Sequence, residues 1–280
     1  MSFSKDVKEE LFQVVPKGRH CIVAELAGIL MLQGIEPFKE KSEDHLNRKV
    51  FTLLNNACII GKDVTAISAD VFFETQKMLK LSEDGTMVNE LVIQQVCCKR
   101  SFIRGVFLAG GSISDPNKGY HFEIVCDSSP QADLIKRAMN TFDVGAKTVR
   151  RNGKYVVYLK EGAQIVEILR VMEAAHSVME LENIRVVKEV RGTINRKVNC
   201  ETANISKTVN AAVRQIEDIH LIEEKLGIEN LPSQLQEIAQ LRLTYPDTPL
   251  ADLGQLLDPP IGKSGVNHRF KKLAAIAKEL

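Results

Sequence analysis

Residues 102–114 read FIRGVFLAGGSIS, and earlier in the chain residues 26–34 read LAGILMLQG. In both, glycine and alanine recur within an apolar run that holds no proline, so each stretch is expected to form a helix with a face of small residues along which another backbone can come close. The natural partner of each copy is the other. Two such helices packed side by side predict a domain built around a pseudo-twofold axis; two ordinary amphipathic helices with small residues for tight packing are the alternative.

The paired strings resemble the motif helices of the LAGLIDADG homing endonucleases, in which the motif supplies both the helix interface and a catalytic acid. Setting Gly28 and Gly105 on the motif's first glycine, and Gly34 and Gly111 on its last, puts Gln33 and Gly110 where that family carries its metal-binding carboxylate. A two-metal phosphodiester cleavage site needs anionic oxygen ligands and a means of activating water. Glutamine offers a neutral carbonyl and glycine offers no side chain. Met31 and Leu108 stand at the usually acidic position two residues earlier. The interface is kept and the acid is lost, so no nuclease activity, no catalytic residue, no metal and no cofactor are expected.

At 280 residues the chain has material for two domains with a sizeable core. A net charge of +1 carries no global nucleic-acid signature, so any basic surface must come from uneven distribution. The start, MSFSKDVKEEL, is charged and lacks an apolar signal segment, and no run of about 18 apolar residues occurs, which argues for a cytoplasmic protein with no membrane partner. The six cysteines (21, 58, 97, 98, 126 and 200) show no CxxC pair and no histidine spacing that suggests zinc, and they read as reduced structural thiols.

Around the motifs, Val7, Leu11 and Val14 predict a short amphipathic helix from Ser4 to about Val15, and the first motif helix is expected over roughly Cys21 to Gln33. Val50 to Ala57 can be helical, Val64 to Phe73 suits a strand or two, and Leu81 to Asn89 reads as a surface loop. After the second motif come a turn at Asp115–Gly119, a strand over Tyr120–Cys126 and a helix over Pro130–Phe142. A hairpin follows, Lys147–Arg151 and Lys154–Lys160, joined by Asn152-Gly153, the favoured type I′ pair. Gln164 to Ala174 is then helical.

Charge gathers on the second half. The hairpin carries Lys147, Arg150, Arg151, Lys154 and Lys160 with no acid, as a sheet resting on phosphates would need, or as a solvated face beside a turn would allow. From Ile184 to Arg214 basic residues again dominate, with only Glu189 and Glu201 opposing; a helix with a capped start near Asn204 or Ser206 is expected there, as a segment tracking a backbone or as a plain linker.

Gly227 to Pro232 marks the start of a small C-terminal domain. A helix is expected over Leu231–Leu243, a short one from Pro249 capped by Thr248, and, past Asp258-Pro-Pro-Ile-Gly262, a last helix from Ser264 whose Val266, Phe270, Leu273 and Ala277 form one buried stripe. Short helix, turn, longer helix is the helix-turn-helix plan. On the last helix Lys263, Ser264, Asn267, His268, Arg269, Lys271 and Lys272 are the candidate DNA contacts, with Lys147, Arg150, Arg151 and Lys154 of the hairpin in support. Arginine and asparagine read base edges; lysine, serine and a helix N-terminus hold phosphates. His268 reads as a polar surface contact, and a solvated helix on a three-helix bundle is the plainer account of the same face.

The strings MSFSKDVKEEL, FIRGVFLAGGSISDP, VNCETANISKTVNAAVRQIEDI and LDPPIGKSGVNHRF together resemble the WhiA family of bacterial regulators. The resemblance implies an α+β, degenerate LAGLIDADG-like pseudo-twofold domain over residues 1–200, a connector over 201–229 and a helix-turn-helix domain over 230–280. It further implies a non-enzymatic, nucleoid-associated protein that binds double-stranded DNA, regulates transcription and takes part in cell division, chromosome segregation and, in some bacteria, sporulation. RNA polymerase or another regulator would be the protein partner. A metal-dependent nuclease and a protein-interaction platform are the competing classes.

Overall fold

The two glycine-bearing strings lie in helices α2 (Arg19–Gln33) and α5 (Val96–Gly110), the second leaving its helix at Gly111 for extended backbone, and the two helix backbones touch. A Cβ on Gly105 would stand 2.3 Å from the carbonyl oxygen of Glu25, and one on Gly28 would stand 2.8 Å from that of Phe102. Only a bare Cα permits such an approach. Gly34, at φ 66°, ends α2 with its N–H donating to the carbonyl of Leu30. The computed structural model describes residues 2–61, 64, 66, 69–82 and 85–280. It divides into two units, Met1–Lys188 and Glu189–Leu280.

In the first unit, α1 (Phe3–Gln13) lays Phe3, Val7 and Leu11 into the core at helical spacing and stops short of the expected Val15, where Val14 is already extended. Helix α3 (His45–Asn56) starts on Asp44, whose side chain accepts from the Asn47 N–H. Helix α6 (Ser129–Asn140) opens on a reciprocal capping box between Ser128 and Gln131. Helix α7 (Gly162–Val171) sends Ile165, Val166, Ile168 and Leu169 into the same core.

Charge is buried beside the crossing. Glu25, Lys49 and Arg104 are all almost wholly inaccessible. Arg104 donates to Glu25 Oε2 from Nε at 3.1 Å and from Nη2 at 2.9 Å, and its Nη1 reaches the Met172 carbonyl and Glu173. Lys49 Nζ lies 3.3 Å from Glu25 Oε1 and also donates to the carbonyls of Leu11, Phe12 and Val14 at the end of α1. Desolvation pulls the Lys49 ammonium below its usual pKa, while Glu25 acts the other way.

The sheet is antiparallel in the order β1-β2-β4-β3, from β1 (Gly111–Ile113), β2 (Phe122–Cys126), β3 (Lys147–Arg151) and β4 (Lys154–Leu159). Asn152 and Gly153, at φ 49° and 78°, make the β3–β4 turn as the sequence predicts. Among the described residues all four strands follow α5. Of the strand or two expected over Val64–Phe73, the second half is helix α4 (Ala69–Met78) instead, and residues 65, 67 and 68 lie outside the described set. Thr75 and Leu79 are buried at a spacing of four while Phe73 is exposed, which is helical patterning. β propensity measures fit to a half-buried sheet, and among the described residues no strand stands there to pair with. The first half instead shows isolated bridges, Glu40 with Ala66 and Leu81 with Val88.

Helix α8 runs Ala175–Lys225, so the expected capped start near Asn204 or Ser206 is absent. Inside α8 the Thr193 and Thr208 hydroxyls donate to the carbonyls of Glu189 and Asn204, one turn back, which lets polar residues sit within a helix. In the second unit α9 (Ser233–Thr244), α10 (Leu250–Gln255) and α11 (Lys263–Glu279) enclose Leu235, Ile238, Leu253, Leu257, Val266, Phe270 and Leu273, together with Ile219 and Ile222 of α8.

Gly105→Ala should lower unfolding free energy by about 1–3 kcal/mol, because the added methyl meets backbone rather than a flexible side chain. Gly119→Ala, with nothing within 4 Å of the new methyl, should leave it almost unchanged. Urea titration of the two variants checks the pair; equal midpoints would remove the close crossing as a constraint.

Candidate nucleic-acid interface

The helix-turn-helix is assembled on Arg242, a buried cation that the sequence reading passed over. Its Nη1 donates to the carbonyls of Tyr245, Pro246 and Thr248, at 3.4, 3.0 and 2.8 Å, and its Nε donates to Gln215 Oε1. The guanidinium also lies 5.3 Å from the Phe270 ring centroid. The signal was present in sequence as an arginine continuing the apolar row Leu235, Ile238, Ala239. Burial pulls its pKa down, with Asp247 acting in opposition. Thr248, expected as a cap for α10, instead offers its carbonyl to Arg242, and Pro249 holds the N-cap position without a side-chain bond.

The turn into α11 depends on a glycine. The Ile261 N–H donates to the Gly254 carbonyl at 2.9 Å, and a Cβ on Gly254 would stand 2.1 Å from the Ile261 carbonyl oxygen. Gly262 is the N-cap of α11 and brings no side chain to its first N–H groups, which are left to solvent or an anion.

On α11 the candidate residues separate. Lys263, Ser264, Asn267, His268, Lys271 and Lys272 are exposed, and at about 100° per residue they fall within one half-turn of the helix, roughly opposite the buried Val266, Phe270, Leu273 and Ala277. Arg269 falls on the other flank of the buried stripe. Its Nη1 donates to the Gln234 carbonyl at 3.3 Å and pairs with Glu237 at 3.4 Å, so it ties α11 to α9. Grouping Arg269 with the exposed row followed its charge and overlooked its angle on the helix.

The basic hairpin also divides. Register places Lys147, Val149 and Arg151 on one face with Lys154, Val156 and Tyr158. Glu123 and Val125 of β2 share that face. Arg150 is in the row of the opposite face and lies over the Tyr155 ring at 5.8 Å. Lys154 pairs with Asp127, and His121 Nε2 lies 3.0 Å from Glu123. Three of the four hairpin candidates therefore share a face, and that face also carries acid.

At the two positions where the motif family carries its acids, the structure adds a physical obstacle. Gln33 Nε2 donates to the Ala109 carbonyl at 2.8 Å, so its side chain closes the end of α5. A Cβ on Gly110 would stand 2.8 Å from the Val125 carbonyl oxygen and 3.2 Å from Leu32 Cδ1. No side chain fits at Gly110 without moving β2.

Two family models match the chain: the WhiA C-terminal HTH domain over residues 194–277 and the WhiA LAGLIDADG-like domain over residues 99–191. A protein named probable cell division protein WhiA from Lachnoclostridium phytofermentans is 44% identical, with 100% of this chain and 99% of that protein covered. One of the same name from Clostridium novyi is 41% identical, covering 100% and 98%. The solved full-length DUF199/WhiA from Thermatoga maritima is 26% identical at a TM-score of 0.56, covering 100% of this chain and 99% of that one.

Arg242→Met should keep the side chain's bulk and strip partners from three carbonyls, lowering the stability of the C-terminal helices by about 2–3 kcal/mol. Hydrogen exchange checks this: amides of residues 245–256 should lose protection first, and unchanged protection there would show that Arg242 is not the organiser.

Proposed function

The chain belongs to the WhiA family, and from that premise we propose that it is a non-enzymatic protein that binds double-stranded DNA and regulates transcription in cell division. Chromosome segregation and, in some bacteria, sporulation are the wider processes that the reading includes. The observation that carries it is the exposed face of α11, where Lys263, Ser264, Asn267, His268, Lys271 and Lys272 occupy one half-turn with no acid before Glu279. A major groove admits one helix, and this row offers one amide and one imidazole for base edges, flanked by cations and a hydroxyl for phosphates.

In this reading Arg269 holds α11 on α9 and does not touch bases. Lys147, Arg151 and Lys154 add phosphate contacts that carry no sequence information, with Arg150 set apart from them. Absence of catalysis is supported by Gln33, whose amide is engaged on Ala109, and by Gly110, which has no room for a carboxylate. The protein then acts by occupying DNA. The similarly named relatives supply cell division as the process, and nucleoid association follows from the binding.

Sequencing genomic fragments recovered on the purified protein tests the reading. Wild type should yield a shared motif, and Asn267→Ala with Lys271→Ala should lose that motif while keeping weak, salt-sensitive binding. Lys263→Ala and Lys272→Ala should each lower the log-log salt slope by about 0.9 if the lysine meets a phosphate. No motif with wild type, or an unchanged motif in the double variant, would overturn the assignment of α11. Plasmid nicking with magnesium or manganese would overturn the non-enzymatic reading.

A further inference from the structure

The first turns of α2 and α5 bring together four side chains that the sequence spacing did not connect: His20, Cys21, Cys97 and Cys98. Their ligand atoms all lie within 4.8 Å of one another. His20 Nδ1 is 3.2 Å from Cys98 Sγ, 3.3 Å from Cys21 Sγ and 3.9 Å from Cys97 Sγ. A tetrahedral zinc ion with metal–sulfur bonds of about 2.3 Å and a metal–nitrogen bond of about 2.0–2.1 Å has S···N edges of about 3.6 Å and S···S edges of about 3.8 Å. The three observed distances straddle the required S···N edge. Among the described residues no other group of three or more such side chains converges this way.

We propose that His20, Cys21, Cys97 and Cys98 form a four-ligand site for zinc or a similarly thiophilic divalent ion. A search for CxxC misses it because each helix contributes an adjacent pair, His20-Cys21 from α2 and Cys97-Cys98 from α5. The Gly28–Gly105 crossing holds both helices close enough for the pairs to meet. His20 is accommodated by Gly18, where a Cβ would stand 2.9 Å from the ring's Nε2 and push it away.

Cys21 and Cys98 are buried, whereas His20 and Cys97 are exposed, so the site has two fixed inner ligands and two outer ones that can admit the ion. His20 and Cys98 also line a cleft of about 470 Å³, beside Arg19, Gln95 and Lys80. On binding, three thiols each give up a proton to solvent, three metal–sulfur bonds and one metal–nitrogen bond form, and no electron is transferred. Three thiolates and a neutral imidazole fill a tetrahedron, which leaves no open position and makes the site structural: a clamp between α2 and α5, independent of the DNA-binding reading.

The test uses the full chain, purified with a mild reductant and without chelator, its metal content measured by plasma mass spectrometry. The chelator-stripped protein is then titrated with cobalt(II). About one zinc per chain is expected, with the visible bands of tetrahedral cobalt and thiolate charge transfer. Because Cys97 is exposed, Cys97→Ser should fold, as circular dichroism will show, and yet lose those bands, with at least about tenfold weaker zinc binding. Cys200→Ser, an exposed thiol elsewhere in the chain, should behave as wild type. Chelation should lower the thermal midpoint of wild type and not that of Cys97→Ser. The proposal is overturned by the absence of a tetrahedral spectrum, by a spectrum unchanged in Cys97→Ser, or by a disulfide among the four in protein isolated anaerobically.

Discussion

The first unit depends on the contact of two backbones at Gly28 and Gly105. Once α2 and α5 approach that closely, Glu25 is carried into the interior with its carboxylate, and cations must come from elsewhere to meet it. Arg104 of α5 and Lys49 of α3 do so. Each then has donors left over, and these reach carbonyls at the end of α1 and just after α7. The crossing thus sets the positions of three further helices through one buried carboxylate. Exchanging such a network for apolar residues often changes net stability little, but removing one member leaves an uncompensated charge at a cost of about 3–5 kcal/mol. Its contribution is to specify which helix ends meet.

Much of this was legible because it follows from short-range pattern. The glycine spacing gave the motif helices, Asn152-Gly153 gave the hairpin turn, and Val266, Phe270, Leu273 and Ala277 gave the buried face of α11. The misreadings came where distant residues decide. Around Val64–Phe73 the residue types favour a strand, but a strand needs a neighbour, and the chain runs into a helix that buries Thr75, with Leu79 buried just past its end. Asn204 and Ser206 resemble caps until the threonine hydroxyls of α8 are seen to bond back along it.

The candidate interface was legible as a charge pattern and less so as a set of roles. Arg269 and Arg242 carry the same charge as the exposed lysines of α11, and both are engaged within the protein. The difference is angular for Arg269 and a matter of depth for Arg242. The convergence of His20 and Cys21 with Cys97 and Cys98 was invisible for a related reason: nothing in the local spacing of either pair announces the other.

The two positions that align with the motif's acids are held in different ways. A carboxylate at residue 33 would forfeit the bond that Gln33 donates to the Ala109 carbonyl, and any side chain at residue 110 would collide with the backbone of β2. Residue 110 cannot take a side chain without first displacing β2, whereas Gln33 is exposed and held by a single hydrogen bond. The end of α5 thus selects glycine at residue 110 by shape alone, whatever chemistry the scaffold is put to.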